Sequence, residues 1–190
     1  MNKRKVTLYI AMSLDGYIAD EDGSIDFLNL HDSELDGTSQ SDFEDFYAEV
    51  DTVVMGSKTY QQVVMELAPE DYPYSNVISY VSTSQSIKVQ EKNVHLVNEP
   101  VDALVKRLRE APGQSIWIVG GSSVVTPLIT ANLIDEYILT TIPVILGNGI
   151  PLFHAQEKWL ELVPIETNLK NGYIQSVYHK GNPSKGIDRK

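Results

Sequence analysis

The chain of 190 residues contains no cysteine, and its 15 basic residues are outnumbered by 26 acidic ones. The absence of cysteine excludes disulfide bonds, thiolate metal sites and cysteine nucleophiles, and it suits a reducing cytoplasm, where we expect the protein to reside. The formal net charge of −11 gives little long-range attraction to nucleic acids or to anionic membrane surfaces, so we expect neither as a partner.

Long apolar runs are also missing. No run approaches the roughly 20 apolar residues that cross a bilayer, so no membrane segment is expected. The apolar run 6–12 follows a basic start but is too short and too polar for a signal peptide. Hydrophobic content is 42%, which is ordinary for a globular domain. The sequence has no repeat, linker or break in composition, so residues 1–180 are expected to form a single domain and the polar residues 181–190 a flexible tail.

β-Branched and aromatic runs predict the strands, and amphipathic or capped stretches between them predict the helices. Strands are predicted at residues 6–12, 52–55, 76–81, 94–97, 116–119 and 135–142, and helices at 41–50, 59–67, 101–110 and 122–132. Residues 160–167 and 173–179 flank an Asn-Gly turn signal, which predicts an antiparallel hairpin of two edge strands. This alternation predicts a three-layer α/β fold with a mostly parallel central sheet.

Two helix starts carry specific expectations. Ser41 is a candidate N-cap after a long loop from about residue 16, and Glu44 completes a capping box. In the fourth helix, either Thr126 caps a helix with Pro127 at its first position, or the first turn is irregular.

Glycine and hydroxyl residues follow three predicted strands. They are Gly56, Ser57, Lys58 and Thr59 after the second strand, Ser82, Thr83 and Ser84 after the third, and Gly120, Gly121, Ser122 and Ser123 after the fifth. Each cluster alone is equally compatible with an ordinary turn. Ligands of open α/β sheets bind at the carboxyl ends of the strands, and bare N–H groups at helix starts bind anions. Together the three clusters favour one extended polyanion, such as a dinucleotide.

The chain resembles the dihydrofolate reductase-like superfamily, in the branch that contains the reductase domain of riboflavin biosynthesis. The resemblance covers residues 6–180 and depends on five motifs: Ser13-Leu14-Asp15-Gly16-Tyr17-Ile18-Ala19, Val54-Met55-Gly56-Ser57-Lys58-Thr59-Tyr60, Gly120-Gly121, Leu133-Ile134-Asp135-Glu136-Tyr137 and Ile142-Pro143-Val144-Ile145-Leu146-Gly147-Asn148-Gly149-Ile150-Pro151-Leu152-Phe153. It implies the dihydrofolate reductase-like fold, NADPH as the cofactor, a homodimer, and a cis peptide bond between Gly120 and Gly121.

The resemblance also implies roles for particular residues. Ala11, Ile18 and Ala19 would line the nicotinamide, and Gly56, Ser57, Lys58 and Thr59 would hold phosphates. Ser82, Thr83 and Ser84 would lie near the adenosine ribose and its phosphate, and Gly120, Gly121, Ser122, Ser123 and Val124 would clasp the pyrophosphate. Dihydrofolate reductases usually carry arginine where this chain has Ser57, so Lys58 or the 82–84 cluster is expected to bind any 2′-phosphate.

On the substrate side, the folate enzymes place a proton-donating carboxylate on the first helix. Asp42 is the nearest match, one turn before Phe46, and Thr140 is expected on the facing strand, so these three residues are the candidates for substrate binding and proton supply. The rival interpretation of Asp42 is a solvated carboxylate at a helix start. Riboflavin reductases carry Asp-Asp-Pro where this chain has Gln61-Gln62-Val63-Val64.

These features predict an NADPH-dependent oxidoreductase that transfers a hydride to a small pterin- or pyrimidine-like heteroaromatic substrate. The alternatives are a dihydrofolate reductase or 5-amino-6-(5-phosphoribosylamino)uracil reductase proper, and a non-catalytic nucleotide-binding protein on the same fold. No metal site is expected, because the four histidines show no metal-ligand spacing. Trp117 is expected to pack in the core, and Asp135 and Glu136 are expected to have a structural or interface role rather than to form an acid–base pair.

Overall fold

A computed structural model describes residues 3–29 and 38–181 of the chain. The predicted flexible tail, apart from Gly181, lies outside the described residues, as do His31 and part of the predicted loop before the first helix. Within the described ranges, no helix is long and apolar enough to cross a membrane.

Strands and helices alternate through the first two thirds of the chain. The strands are β1 (Val6–Ser13), β2 (Tyr17–Ala19), β3 (Val50–Gly56), β4 (Ile78–Ser82), β5 (Val94–Val97), β6 (Ser115–Gly120), β7 (Glu136–Ile142), β8 (Ile150–Pro151), β9 (Leu162–Lys170) and β10 (Tyr173–Lys180). The helices are α1 (Thr38–Ala48), α2 (Ser57–Gln62), α3 (Val101–Glu110) and α4 (Ser122–Thr130). A 3-10 helix (Asp26–Asn29) precedes α1, and α2 runs into a π-helix (Val63–Leu67).

Eight strands form the main sheet in the order β5-β4-β3-β6-β1-β7-β10-β9. The six strands from β5 to β7 are parallel, and the hairpin β9–β10 adds two antiparallel strands. The predicted fold class is confirmed. The hairpin prediction was wrong in one respect: β10 lies between β7 and β9, so of the two hairpin strands β9 is at the edge and β10 is not.

Side chains pack on both faces of this sheet because successive strand residues point to opposite faces. On one face, Leu8 of β1 and Ile118 of β6 pack with the inward residues of α3 and α4, which are Val101, Leu104, Val105, Leu108, Val124, Val125 and Leu128. On the other face, Met55 and Trp117 pack with α1 and α2. Trp117 is 6% exposed and is a packing residue, as predicted.

The first helix begins earlier than predicted. Helix α1 starts at Thr38, so Ser41 lies inside the helix and the predicted N-cap and capping box at Ser41 and Glu44 were wrong. The physical reason is that tertiary packing of a helix outweighs its capping signals. Phe43 packs against Trp117 with ring centroids 5.6 Å apart, and Phe46 packs against the same indole at the same distance.

The fourth helix also differs from both alternatives for Pro127. Gly121 is the N-cap of α4, and Pro127 lies inside the helix rather than at its first position. Proline removes one helical hydrogen bond, but Val124, Val125 and Leu128 of this helix are at most 2% exposed. Burial of these side chains offsets the missing bond.

A second sheet has two strands, of which one lies in the long loop predicted after residue 16 and the other lies after β7. Strand β2 pairs antiparallel with β8. At Gly149, next to β8, a Cβ atom would lie 2.3 Å from the carbonyl oxygen of Ala19. Only glycine permits that approach, so Gly149 allows the two loop segments to close on each other.

Candidate functional site

The three glycine and hydroxyl clusters lie side by side at the carboxyl end of the parallel strands. In the sheet register Gly56 of β3 pairs with Ser82 of β4, and Met55 pairs with Gly120 of β6. Adjacent strands are about 4.8 Å apart. The three strand ends therefore form one continuous edge that an extended ligand can follow.

The glycine turns after β3 and β6 also contact each other. The N–H of Gly121 donates a hydrogen bond to Thr59 Oγ1 at 3.1 Å. A Cβ atom at Gly56 would lie 3.7 Å from Ser123 Oγ. The peptide bond between Gly120 and Gly121 is cis, as the resemblance implies. The first turns of α2 and α4 are thus in direct contact.

A groove of about 490 Å³ continues from these turns across β4. It is lined by Ser57, Lys58, Gln61, Ser82, Thr83, Ser84, Gln85, Val97, Asn98 and Glu99. Lys58 is exposed, and Glu99 is paired with Arg107 at 2.5 Å. The groove is thus rich in hydroxyl and amide groups and has one lysine in its wall.

Three of the predicted cofactor residues have buried side chains. Val124 is 2% exposed and belongs to the apolar core, while its N–H donates to the carbonyl of Gly121 at 3.0 Å. Ser122 is 9% exposed and Ala19 6% exposed. Ser123, by contrast, is exposed, and Gly121 is half-buried. The accessible part of the β6–α4 turn is therefore Gly121 and Ser123.

The predicted nicotinamide residues lie on β1 and β2. Ala11 and Ile18 are half-buried. A Cβ atom at Gly121 would lie 3.9 Å from Ile18 Cδ1, so the β2 segment contacts the β6–α4 turn. Ala11 pairs with Thr140 in the register of β1 and β7. These residues lie between the predicted cofactor residues of the β6–α4 turn and the substrate side predicted at Thr140.

Asp15 fastens the β1–β2 turn to the loop before β8. Its carboxylate accepts hydrogen bonds from Ser13 Oγ at 2.6 Å, from the N–H of Gly147 at 2.7 Å and from the N–H of Leu146 at 3.1 Å. The hydrogen bond from Ser13, assisted by those two N–H groups, lowers the pKa of Asp15. Sequence reasoning missed this tether, although a carboxylate in a turn next to glycine and a distant Gly-Asn-Gly segment were visible.

The predicted substrate side lies between α1 and the strands β1, β7 and β10. Phe46 of α1 packs edge-on against Tyr9, with ring centroids 4.9 Å apart. Thr140 is 9% exposed and pairs with Gln175 of β10. Asp42 is half-buried one turn before Phe46. The structure thus places Phe46 and Thr140 on the same face of the sheet.

Two residues that sequence reasoning missed lie beside these candidates. Gln175 Nε2 donates a hydrogen bond to the Tyr9 hydroxyl at 2.8 Å and makes a longer contact of 3.5 Å with Thr140 Oγ1. Burial raises the pKa of Tyr9, and the hydrogen bond with Gln175 partly opposes this shift. One indication of Tyr9 was visible in the sequence: it is two residues before Ala11 in β1, and residues two apart in a strand face the same side of the sheet.

The opposite end of the sheet is rich in paired charges. Arg4, whose side chain is 6% exposed, forms an ion pair with Asp51 and donates to Thr52 Oγ1 at 2.8 Å. Asp135 accepts from the N–H of Val6 at 3.0 Å and from Arg109 Nη2 at 3.1 Å.

Glu136 completes these charged contacts at the start of β7. It pairs with Lys5 at 2.7 Å and with His179 at 3.0 Å. The prediction that Asp135 and Glu136 are structural is consistent with these contacts. Among residues 3–29 and 38–181, no group of three or more metal-ligating side chains could hold a metal ion.

Residues 4–174 match the model of the RibD C-terminal domain family. The chain therefore belongs to that family.

Its relatives and structural neighbours agree with this assignment. The uncharacterized protein YwjB of Bacillus subtilis is 45% identical over 152 residues, which are 80% of this chain and 84% of YwjB. A putative riboflavin biosynthesis protein of Shewanella sp. PV-4 has a similar crystal structure, with a TM-score of 0.79 and 29% identity over 94% of this chain and 99% of that one. Dihydrofolate reductase of Enterococcus faecalis, solved with NADP(H), shares the fold at a TM-score of 0.61 and 19% identity, covering 94% of this chain and 97% of that one.

Proposed function

We propose that this protein is a cytoplasmic, NADPH-dependent oxidoreductase that transfers a hydride to a small pterin- or pyrimidine-like heteroaromatic substrate. The observation that carries the proposal is the single edge formed by the strand ends at Gly56, Ser82 and Gly120, with the two glycine turns in contact. Membership of the RibD C-terminal domain family supports a reductase. The reductase of the same fold solved with NADP(H) supports the cofactor.

The residues at this edge fit a dinucleotide by their chemistry and spacing. Glycine turns at the starts of α2 and α4 are suited to phosphate groups. Lys58 and the hydroxyls of the 82–84 cluster line the groove of about 490 Å³ next to them, where a 2′-phosphate would find one cation and several donors. Lys58 and these hydroxyls would bind the 2′-phosphate in place of the arginine that dihydrofolate reductases usually carry where this chain has Ser57.

NADPH, when bound, supplies the hydride. The chain's own residues then have three tasks. Ala11 and Ile18 give the cofactor ring an apolar wall, Phe46 and Thr140 position the substrate ring against it, and Asp42 or solvent supplies the proton. Close alignment of two rings away from water is the main contribution expected of the protein.

Calorimetric titration of the purified protein with NADPH and with NADH tests the cofactor. We expect binding of NADPH at micromolar to millimolar concentrations, and no binding of either nucleotide at millimolar concentration would contradict the proposal. Oxidation of NADPH is then followed by absorbance with dihydrofolate and with reducible pterins and pyrimidines. Asp42→Asn should abolish turnover if Asp42 is the proton donor, while cofactor binding remains.

The same assays separate the alternatives. Turnover with dihydrofolate, or with the ribosylaminouracil substrate, would identify one of the two named reductases. Cofactor binding without turnover on any heterocycle would identify a non-catalytic nucleotide-binding protein, for which the uncharacterized relatives leave room.

We also propose a homodimer, which the family resemblance implies. Edge strand β9 exposes Val163, Ile165 and Leu169, which are 45%, 53% and 78% accessible. A sheet edge with exposed apolar side chains is a surface that commonly pairs with another chain. Light scattering after gel filtration measures the mass, and a strictly monomeric protein at micromolar concentration would contradict this proposal.

A further inference from the structure

The substrate side contains a polar pair whose hydrogen-bonding capacity is only half used. The pair consists of the Tyr9 hydroxyl and the Gln175 side-chain amide, joined by one hydrogen bond of 2.8 Å. Both residues are half-buried. Among the described residues, their only other side-chain polar contact is the 3.5 Å approach of Gln175 Nε2 to Thr140 Oγ1.

Counting donors and acceptors shows what the pair still offers. With Nε2 donating to the tyrosine oxygen, Gln175 Oε1 remains an acceptor and the Tyr9 hydroxyl hydrogen remains a donor. If the amide were turned by 180°, the tyrosine would donate to Oε1, and the free groups would be the amide N–H and a tyrosine lone pair. Either way, one donor and one acceptor stay available on neighbouring atoms.

The pair lies where a substrate ring would reach it. Ala11, Thr140 and Gln175 form one row across β1, β7 and β10, so Gln175 lies about 10 Å, or two strand spacings, from Ala11. That span matches a bicyclic heteroaromatic ring with one end over the cofactor. The Tyr9 ring packs edge-on against Phe43 and Phe46, at centroid distances of 5.8 and 4.9 Å.

We infer that Tyr9 and Gln175 determine substrate specificity by binding the edge of a ring that carries an N–H donor beside an acceptor, as in a lactam or an aminopyrimidine. The inference depends on the proposed function for the location of the substrate, and it adds the chemical class of the ring edge. A polar group left unpaired in such a site is costly, so a ring without this edge is disfavoured.

Lumazine and 1,3-dimethyllumazine are the probes. Both are fluorescent bicyclic rings, and methylation removes both N–H donors from the pyrimidine edge. Dissociation constants are measured by fluorescence titration with and without saturating NADPH. For the wild type we expect lumazine to bind at least about tenfold more tightly than its dimethyl form.

The variants Tyr9→Phe and Gln175→Met keep the shape of each side chain and remove its polar atoms. Each should weaken lumazine binding about twofold to tenfold, the usual value of one neutral hydrogen bond. Dimethyllumazine keeps its carbonyl acceptors but lacks the N–H donors, so its binding should weaken by a smaller factor. The matched controls are Tyr178→Phe, on the other face of the same strand β10, and Gln90→Met on the surface. Neither control should change either constant, and thermal unfolding should show that all four variants fold.

Three results would overturn the inference. They are no lumazine binding up to millimolar concentration, equal binding of the two lumazines by the wild type, or an equal loss of both ligands in the variants, which would indicate a packing role only. Failure of NADPH to bind, with the lumazine discrimination still dependent on Tyr9 and Gln175, would reject the proposed function and leave this inference standing.

Discussion

At the amino end of the parallel strands, charged side chains bond to one another, whereas the carboxyl end is lined by glycine, hydroxyl and amide groups and one lysine. Arg4, Asp135 and Glu136 each bond to two or more protein groups. At the opposite end, Gly121 is half-buried, Ser123 is exposed, and Lys58 is exposed in the wall of the groove. In a chain with a net charge of −11, an anionic ligand needs such a local site, because the overall field repels it.

If the proposed function holds, one sheet separates the residues that stabilise the fold from those that bind the ligand. Paired charges hold the elements together at the amino end, and removing either partner of a buried pair destabilises the fold. The carboxyl end instead depends on small residues that allow close backbone approach. Substitutions at the two ends should therefore affect different measurements.

The largest effect is expected for Arg4→Met at the amino end. Its loss would leave the carbonyl of Gln114, which accepts from Arg4 Nε at 2.6 Å, without that donor and would break the ion pair with Asp51. Asp51 is 36% exposed and keeps the hydrogen bonds from the Gln114 N–H and Thr52 Oγ1, so we expect the free energy of unfolding to fall by about 2–3 kcal/mol, measured by urea denaturation, while NADPH binding stays unchanged.

The matched control for Arg4→Met is Lys3→Met. Lys3 pairs with Glu110, but both side chains are more than 60% exposed, so the change should cost at most about 1 kcal/mol. Equal losses in the two variants would contradict the claim that the amino end is held by buried charge.

At the carboxyl end, Gly121→Ala should affect binding rather than folding. A Cβ atom there would lie 3.6 Å from Thr59 Oγ1 and 3.9 Å from Ile18 Cδ1, which are ordinary contacts, so the protein should fold. The methyl group would occupy the space between two proposed cofactor residues. There it would crowd the bound cofactor. Overpacking costs about 1–3 kcal/mol, so the dissociation constant for NADPH, measured by calorimetry, should rise roughly fivefold to hundredfold. An unchanged constant would place the cofactor elsewhere.

A smaller effect is expected for Lys58→Ala. If Lys58 binds the 2′-phosphate, the variant should weaken NADPH binding about threefold to tenfold, the range for an exposed charged contact. NADH binding should not change, and the NADPH effect should shrink in high salt. Lys92→Ala, a change of another exposed lysine, is the control. A parallel loss of NADH binding would exclude specific recognition of the 2′-phosphate.

The smallest effect is expected for Asp15→Asn, which weakens the tether between the β1–β2 turn and residues 146–147. Amide exchange at Leu146 and Gly147 should be faster in the variant at neutral pH. The pKa of Asp15 is lowered in the folded protein, so the tether is present above the unfolded carboxyl pKa and is lost as pH falls through the folded one. The difference between the proteins should therefore vanish at strongly acidic pH.

The sequence was sufficient to predict where the parallel strands end, but not which strands are neighbours in the sheet. Gly56 and Gly120 were recognisable because a glycine after an apolar run marks a strand end before a helix. That Ser82 is next to Gly56, and Gly120 next to Met55, follows from crossovers that local pattern does not encode. The family resemblance supplied what periodicity could not, including the cis bond at Gly120-Gly121.

The errors arose where distant packing outweighed local signals. Ser41 has the chemistry of a cap, yet the aromatic contacts of Phe43 and Phe46 hold a helix that begins at Thr38. Pro127 is tolerated inside α4 by burial of its neighbours. Tyr9 and Gln175 were missed because their bond joins residues 166 positions apart, a relation that no window along the sequence contains.

The central place of β1 in the sheet has a consequence for synthesis. This first strand pairs with β6 and β7, and its N–H at Val6 bonds to a carboxylate 129 residues later. During synthesis on the ribosome, the apolar strand β1 therefore stays unpaired until most of the chain has emerged. Folding dominated by such distant pairings is slow and exposes strands to aggregation, so the yield of native protein should depend on how the nascent chain is protected.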